Sequence, residues 1–248
     1  DTIRITLDSG AVREFRHGSR ATNPVDQWPD PDVYVNYMGQ SLSGSENRNI
    51  NRTYPGKADG TLTEMMSYGI VQLINTENID VTVDLHEASP EYPVINALIA
   101  HERAMNLASN VVVDMQMEGV QISLEPSPTD LRGLTHRELG DHTDTLALLM
   151  EAPNPAQGRL RDRTDEALVL TGKSETYVKA GEIGQLYVPY DENGWPIEVR
   201  CARHVFGIER ILANYSEMYE EPIIVTGMPS YDELVKNGMG PYLNEPTT

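Results

Sequence analysis

The sequence predicts an α/β fold in which helices flank a mixed, largely buried sheet. Strand-like and helix-like segments alternate along the chain, as they do in α/β domains. The run TLALLMEA at residues 145 to 152 is apolar enough to be buried on both faces of a sheet. With 248 residues, of which 39% are hydrophobic, the chain is long enough to bury such a sheet in one domain spanning residues 1–248.

The first helix is predicted over residues 61 to 75, after an irregular segment. Residues 21 to 46 are rich in Asn, Pro, Asp, Gly and Ser, which is typical of a long loop. Thr61 and Glu64 have the spacing of a capping box, in which each side chain accepts a hydrogen bond from the backbone N–H of the other residue. The residues predicted to share the apolar face of this helix are Leu62, Met65, Met66 and Leu73.

Strands and a second helix are predicted in the middle of the chain. Residues 79 to 86, IDVTVDLH, alternate apolar and polar side chains, which predicts a strand that ends at His86. A helix is predicted over residues 93 to 108. Two further strands are predicted at residues 120 to 125 and 145 to 152.

A hairpin and an amphipathic helix are predicted in the last third of the chain. The segment EIGQLYVPYDENGWPIEV contains Asn193-Gly194, a pair that favours the two-residue turns of β-hairpins. Residues 203 to 219 have the apolar periodicity of a helix.

Charge, hydropathy and cysteine content exclude several classes of partner and site. The net charge of −19 opposes a nucleic-acid partner, because phosphate recognition needs a basic surface. No apolar run approaches the roughly 20 residues that a transmembrane helix needs. The single cysteine, Cys201, excludes an internal disulfide framework.

Two ionisable side chains are predicted at strand ends. His86 closes the run VTVDLH, and Glu151 closes the run LALLME. In open α/β sheets, ligands bind beyond the carboxyl ends of the strands. A carboxylate after five apolar residues is costly to bury unless it has a partner or a chemical task. The pair therefore suggests a metal ligand and a general base, although a histidine at a strand end more often serves in packing or hydrogen bonding.

Three segments resemble one known family. NINRTYPG…DGTLTE, VDLHEA and LLMEAPNP, in matching order over roughly residues 45 to 155, resemble the succinylglutamate desuccinylase and aspartoacylase branch of the zinc carboxypeptidase superfamily. The resemblance implies a zinc-carboxypeptidase-like fold and a zinc-dependent hydrolase of the deacylase or carboxypeptidase type. Its substrate would be a small molecule or peptide with a free carboxylate beside the amide bond that is cleaved.

The resemblance also implies roles for individual residues. His86 would be a zinc ligand, and Glu151 would be the general base that activates the zinc-bound water. Asn51 and Arg52 would bind the substrate carboxylate, and Arg48 would stabilise the developing oxyanion. An arginine suits carboxylate recognition because its planar guanidinium pairs with both oxygens. Two alternatives stay open: Asn51 and Arg52 as turn-forming residues, and Arg48 in a surface salt bridge.

The family's remaining zinc ligands form a His-x-x-Glu pair that precedes the asparagine and arginine. Upstream of them this sequence has only His17, in HGSR, where Arg20 stands in place of the glutamate, and a cation does not bind zinc. Because the chain starts at Asp1 rather than methionine, we expect the pair to lie upstream, in an N-terminal segment or chain that completes the site. The chain would then be the C-terminal portion of a longer product. The alternative is a non-catalytic carboxylate-binding module on the same fold that has lost zinc.

A second polar cluster lies in the segment LTHRELGDHTDT. Its position before the strand that carries Glu151 favours a substrate pocket, to which His136 and Arg137 would contribute. Two alternatives stay open, a structural polar network and a metal site built from His136 and His142 with neighbouring carboxylates.

Two further pairs of polar residues receive simpler interpretations. Glu87 and Glu91 are expected to order the loop after His86 or to support that residue. His101 and Glu102 are expected to be solvated on a helix.

Overall fold

The computed structural model describes residues 2–6, 8–16, 32–161 and 165–243. The chain divides into two compact units. The first unit comprises Asp1–Thr82 with Ser127–Ala147, and the second comprises Val83–Pro126 with Leu148–Thr248. The prediction of one domain over residues 1–248 stays a prediction.

Part of the sequence-based interpretation lies outside the described residues. His17 and Arg20 lie there, as do residues 21–31 of the predicted loop over residues 21 to 46. The described end of that loop contains short strands at Val33–Val35 and Ser41–Ser43.

Fifteen strands and α-helices are described. The strands are β1 (Thr2–Thr6), β2 (Val12–Arg16), β3 (Val33–Val35), β4 (Ser41–Ser43), β5 (Val81–Ala88), β6 (Ala97–Ala100), β7 (Ser123–Pro126) and β8 (Leu146–Pro153). The helices are α1 (Leu62–Glu77), α2 (Met105–Met117), α3 (Thr135–His142), α4 (Glu166–Thr171), α5 (Glu175–Glu182), α6 (Ile197–Tyr219) and α7 (Tyr231–Asn237). Among these helices, none combines the length and apolar character that crossing a membrane requires.

The main sheet has four strands in the order β5-β8-β6-β7. Strand β6 is antiparallel to β8 and parallel to β7. The N–H of Leu146 donates to the carbonyl of Asp80 and that of Asn154 to the carbonyl of Ala88, both at 2.7 Å. Because the two bonds share one offset along the chain, β5 and β8 are parallel. The predicted mixed α/β architecture is therefore confirmed.

Burial differs between the inner and outer strands of this sheet. All four residues of β6 are buried, and so are six of the eight residues of β8. The outer strands β5 and β7 stay partly exposed along their length. Helix α2 packs against β6 and β7. The sheet is thus buried at its centre, where the apolar runs ALIA and LALLM lie.

The predicted helix over residues 93 to 108 is wrong, because β6 occupies its centre. Asn96 has a positive φ of 54°, a left-handed conformation that a right-handed α-helix does not contain. Its side-chain amide donates to the carbonyl of Gln121 at 2.9 Å, next to the start of β7. Pairing with β7 and β8 therefore determines the structure of ALIA, and the helix begins only at Met105.

Helix α1 confirms the predicted capping box but not the predicted apolar face. Both hydrogen bonds of the Thr61 and Glu64 box are present. Met65, Met66 and Leu73 are 41%, 43% and 58% exposed. The buried residues of α1 are Thr63, Glu64, Ser67, Val71 and Ile74. The buried polar side chains are hydrogen bonded; for example, the hydroxyls of Ser67 and Thr53 lie 2.6 Å apart. Because hydrogen bonding allows polar residues to be buried, hydrophobicity alone predicted the wrong face of α1.

The last third contains the predicted helix but not the predicted hairpin. Helix α6 begins at Ile197, before the predicted residue 203, and ends at the predicted Tyr219. Asn193-Gly194 does form a turn, since the N–H of Gly194 donates to the carbonyl of Asp191 at 3.0 Å. In the described residues this turn joins no strands and leads instead into α6. A turn signal specifies the turn and not the elements that it connects.

Candidate functional site

His86 and Glu151 are brought together on neighbouring parallel strands of the second unit. His86 Nδ1 lies 3.7 Å from Glu151 Oε1. The other ring nitrogen, Nε2, lies 2.9 Å from Oδ2 of Asp84, which precedes His86 by two residues and so shares its face of β5. The side chains of His86 and Glu151 are 28% and 14% exposed, so solvent reaches the pair.

The expectation that His86 and Glu151 stand at strand ends is wrong. Strand β5 continues to Ala88, and β8 continues to Pro153. The backbone bond from Asn154 to Ala88 extends the pairing past both residues. The two side chains therefore project from a paired part of the sheet rather than from a loop.

A second histidine, missed by the sequence analysis, contacts the same strand. His204 of α6 forms a hydrogen bond with the backbone of His86. Burial lowers the pKa of His204, while nearby Glu87 and the bond to His86 oppose that shift. The helix containing His204 was predicted, but nothing in the local sequence places it against β5.

Glu87 joins β5 to two other segments of the second unit. Oε1 of Glu87 pairs with the guanidinium of Arg200, which is 1% exposed. Oε2 accepts a hydrogen bond of 2.6 Å from the side-chain amide of Asn154, just after β8. Arg200 also donates to the carbonyls of Trp195 and Val169. This set of contacts fixes the backbone on both sides of His86 and Glu151.

Asn51 and Arg52 lie in the first unit, in a 3-10 turn at Ile50–Arg52. A preceding 3-10 turn at Gly44–Arg48 contains Arg48. The buried Asn51 accepts a hydrogen bond of 2.7 Å from the N–H of Thr135, the first residue of α3, through its side-chain oxygen. Its predicted role in substrate binding would use the amide nitrogen instead.

Arg52 is more accessible than Asn51. Its side chain is 31% exposed, with Nε 3.7 Å from Oε2 of Glu46 and Nη1 donating to the carbonyl of Asn51 at 2.7 Å. No hydrogen bond or ion pair within the described part of the chain involves Nη2 of Arg52. Nε and Nη1 are therefore engaged within the first unit, while Nη2 stays available to a ligand.

Arg48 is 6% exposed, which excludes the alternative of a surface salt bridge.

The turn after Arg52 requires a glycine at position 56, since Gly56 has φ of +83° and a Cβ there would lie 2.2 Å from the carbonyl oxygen of Glu64. The tight turn thus depends on a glycine at position 56, where a side chain would collide with the backbone.

The segment LTHRELGDHTDT forms α3, which the sequence analysis did not predict, around a buried carboxylate. Glu138 is 0% exposed and accepts hydrogen bonds from the hydroxyl of Tyr37, from Arg132 Nη2 at 2.9 Å and from the N–H of Gly133 at 2.8 Å. Burial and the bond to Glu138 raise the pKa of Tyr37 to about 12, and Arg132 opposes that rise. His142 Nε2 lies 3.3 Å from Glu138.

His136 and Arg137 form hydrogen bonds with Ser127, which lies before α3. His136 is 5% exposed, and its Nδ1 lies 2.8 Å from the hydroxyl of Ser127. Arg137 is 3% exposed and donates to the carbonyl of Ser127 at 3.3 Å and to Asp141 at 2.8 Å. These contacts favour the structural polar network over the substrate pocket.

No metal site is complete within the described ranges. There, no three side chains of His, Cys, Asp or Glu are grouped so as to hold a metal ion, which applies to α3 as well as to the surroundings of His86. Zinc needs four ligands, of which three or four come from the protein. The described residues therefore do not fit zinc by themselves, and His86 supplies at most one ligand.

His101, expected to be solvated, is instead 6% exposed and begins a 3-10 turn.

No protein-family model, no curated protein and no solved structure matches this chain.

Proposed function

We propose that this chain carries part of a zinc-dependent hydrolase of the succinylglutamate desuccinylase and aspartoacylase type, on a zinc-carboxypeptidase-like fold. The reaction would cleave an amide bond beside a free carboxylate in a small molecule or peptide. The observation that carries the proposal is the contact between His86 and Glu151, 3.7 Å apart on adjacent parallel strands and both partly open to solvent.

Glu151 has the properties of a general base. Its side chain is 14% exposed, with Oε2 buried and Oε1 on the side of His86, so the carboxylate is largely shielded from solvent. It projects from the paired strand β8, and a general base acts when it lies within hydrogen-bond reach of the proton that it takes. In the proposed reaction Glu151 takes a proton from the attacking water and returns it to the leaving amine.

Arg52 has the properties of a carboxylate-binding residue. Glu46 contacts Nε and the carbonyl of Asn51 accepts from Nη1, whereas Nη2 has no partner in the described residues. A guanidinium held in this way loses little entropy when it pairs with a carboxylate. In the proposal Arg52 recognises the substrate carboxylate and thereby selects the bond that is cleaved.

The proposal requires zinc ligands besides His86. They would come from an N-terminal segment or a second chain that completes the site. The imidazole of His86 is a suitable zinc ligand, and its contact with Asp84 is of the kind that orients ligating histidines in metalloproteins.

One observation favours the non-catalytic alternative. Both ring nitrogens of His86 face carboxylates, and the described residues contain no group of three ligands. A module that has lost zinc would keep Arg52 for carboxylate binding and use His86 and Glu151 as a structural pair.

The test is amine release from a panel of N-acyl amino acids and short peptides by the full-length gene product, with and without added zinc. We expect zinc-dependent turnover that falls about 10²- to 10⁴-fold in Glu151→Gln, the range that general bases contribute. Glu125→Gln, which changes a partly buried carboxylate on β7, is the matched control and should retain turnover.

Two measurements distinguish the two functions. Zinc content by elemental analysis should be unchanged in Glu151→Gln, since the base is not a ligand. Turnover that is equal in Glu151→Gln and wild type contradicts the proposed base. Saturable binding of N-acyl amino acids without any turnover or zinc would establish the non-catalytic module instead.

A further inference from the structure

A groove of about 860 Å³ lies in the second unit, along helix α5. Lys179 and Ile183 of α5 line it, together with Arg159 before the helix and Leu186 and Tyr187 after it. Pockets for small molecules have volumes of roughly 300 to 1,000 Å³. The groove is therefore of the size that accepts a small organic molecule.

Two cationic side chains line this groove in a chain whose net charge is −19. Within the described residues, neither the guanidinium of Arg159 nor the ammonium of Lys179 forms an ion pair or a side-chain hydrogen bond. Glu91 also lines the groove, but its oxygens accept hydrogen bonds from the Tyr177 hydroxyl at 2.8 Å and from the N–H of Arg159 at 2.7 Å. The lining thus carries two cationic side chains against the single carboxylate of Glu91.

The groove also has an exposed apolar lining. Ile183 is 72% exposed and Tyr187 is 64% exposed, and Leu186 lies partly buried between them in the chain. Removing such apolar side chains from water is favourable. A hydrocarbon group bound here would gain contacts that solvent does not provide.

The backbone around the groove is tightly packed. A Cβ at Gly158 would lie 1.5 Å from the Tyr177 hydroxyl, so the segment that carries Arg159 packs directly against the Tyr177–Glu91 pair. On the other side, the N–H of Tyr187 donates to the carbonyl of Pro90 at 3.0 Å. These contacts hold the groove in shape before any ligand arrives, which reduces the entropic cost of binding.

We propose that this groove binds a small amphiphilic organic anion, a carboxylate attached to a hydrocarbon chain. Arg159 and Lys179 contact the carboxylate, and Ile183, Leu186 and Tyr187 contact the chain. Neither a simple inorganic anion nor an alkylammonium ion satisfies both halves of this lining.

Calorimetric titration of the intact protein with octanoate, acetate and octylammonium tests the inference. We expect saturable binding of octanoate and at least about tenfold weaker binding of the other two. Acetate that binds as tightly as octanoate would overturn the apolar half of the proposal. Octylammonium that binds as tightly would overturn the charged half.

Variants locate the binding in this groove. Arg159→Gln and Lys179→Gln should each weaken octanoate binding up to about fivefold, the effect of losing one exposed ion pair, and the double variant should weaken it further. Ile183→Ser should weaken octanoate without affecting acetate. Lys236→Gln, which removes an exposed charge from α7, is the matched control and should bind normally.

Two results contradict the assignment to the groove. One is octanoate binding that is the same in wild type and in the Arg159→Gln, Lys179→Gln double variant, with circular dichroism showing an unchanged fold. The other is weakening by Arg52→Lys or Glu151→Gln, which would move the octanoate to the residues of the proposed hydrolase. The proposal about the groove and the proposed function therefore fail separately.

Discussion

Arg52 is the residue whose proposed role is easiest to separate from a structural one. Replacing it by lysine keeps the charge but removes the planar guanidinium, which pairs with two carboxylate oxygens at once. We expect Arg52→Lys to lower kcat/KM about ten- to a hundredfold, because a hydrogen bond to a charged group contributes roughly 1.5 to 3 kcal/mol. The measurement is amine release by wild type and variant from one substrate and from its carboxamide analogue.

The loss should depend on the substrate carboxylate. The carboxamide should already react poorly with the wild type and lose little more in the variant, which gives a non-zero coupling energy. Arg103→Lys, at an exposed arginine of the second unit, is the control and should leave both reactions unchanged. A coupling energy of zero, with both single effects measurable, would rule out carboxylate recognition by Arg52.

The sequence identifies chemically important side chains better than it identifies the residues that they contact. His86 and Glu151 were singled out because both were predicted at strand ends, and they lie side by side although both strands continue past them. The contact of His204 with His86 depends on how α6 packs, and no local signal reports that packing. His136 and Arg137 were expected in a pocket because they precede the strand that carries Glu151, yet hydrogen bonds to Ser127 and Asp141 allow both to be buried.

The capping box of α1 permits a quantitative prediction at the level of an element. Thr61→Ala removes the side-chain oxygen that accepts from the N–H of Glu64. We expect the free energy of unfolding to fall by about 1 kcal/mol, the usual contribution of an N-cap. Thr76→Ala, at an exposed position of the same helix, is the control and should be neutral or slightly stabilising. Equal values for the two variants in urea denaturation would contradict a stabilising cap.

Elements with local determinants were predicted, and elements with distant ones were not. Helix α1 has its cap within four residues, and α6 has a long amphipathic repeat. Strand β6 has only four residues, and they form a strand because β7 and β8 pair with them on both sides. A turn is present beside the predicted pair, with Glu192 and Asn193 at its centre, but the absence of flanking strands depends on α6 starting at Ile197.

Tyrosine–glutamate pairs recur across the molecule. Tyr34, Tyr37 and Tyr177 donate their hydroxyls to Glu64, Glu138 and Glu91 respectively. In each case burial is the largest cause that raises the phenol pKa, and the neighbouring carboxylate adds to it. The chain has 38 acidic residues and only 19 Lys and Arg residues. Neutral phenols therefore supply hydrogen-bond donors to carboxylates that outnumber the basic side chains.

These pairs make the stability of the whole protein sensitive to alkaline pH. A phenol whose pKa is raised on folding holds its proton in the folded state after the unfolded chain has lost it. Stability from this source is therefore complete below the usual tyrosine pKa of 10.0 and declines as the pH rises towards about 12, the pKa of Tyr37. We expect chemical denaturation to show a free energy of unfolding that falls steadily across this range.

Tyrosine variants identify the source of this decline. In Tyr37→Phe the decline should be shallower, although stability at neutral pH should also be lower because Glu138 loses a donor. Tyr92→Phe changes an exposed phenol and should leave the profile unchanged. A profile whose slope is the same in Tyr37→Phe and wild type would contradict the coupling.

The parallel pairing of β5 with β8 has a consequence for how this protein can change in evolution. Side chains of a strand alternate between its two faces, so His86 and Glu151 meet only in one alignment of the two strands. Inserting a single residue between Val81 and His86 would leave the composition and the apolar character of β5 almost unchanged. It would nevertheless turn the imidazole to the opposite face from the carboxylate. Apolar substitutions within these strands should therefore be tolerated far better than changes in their length.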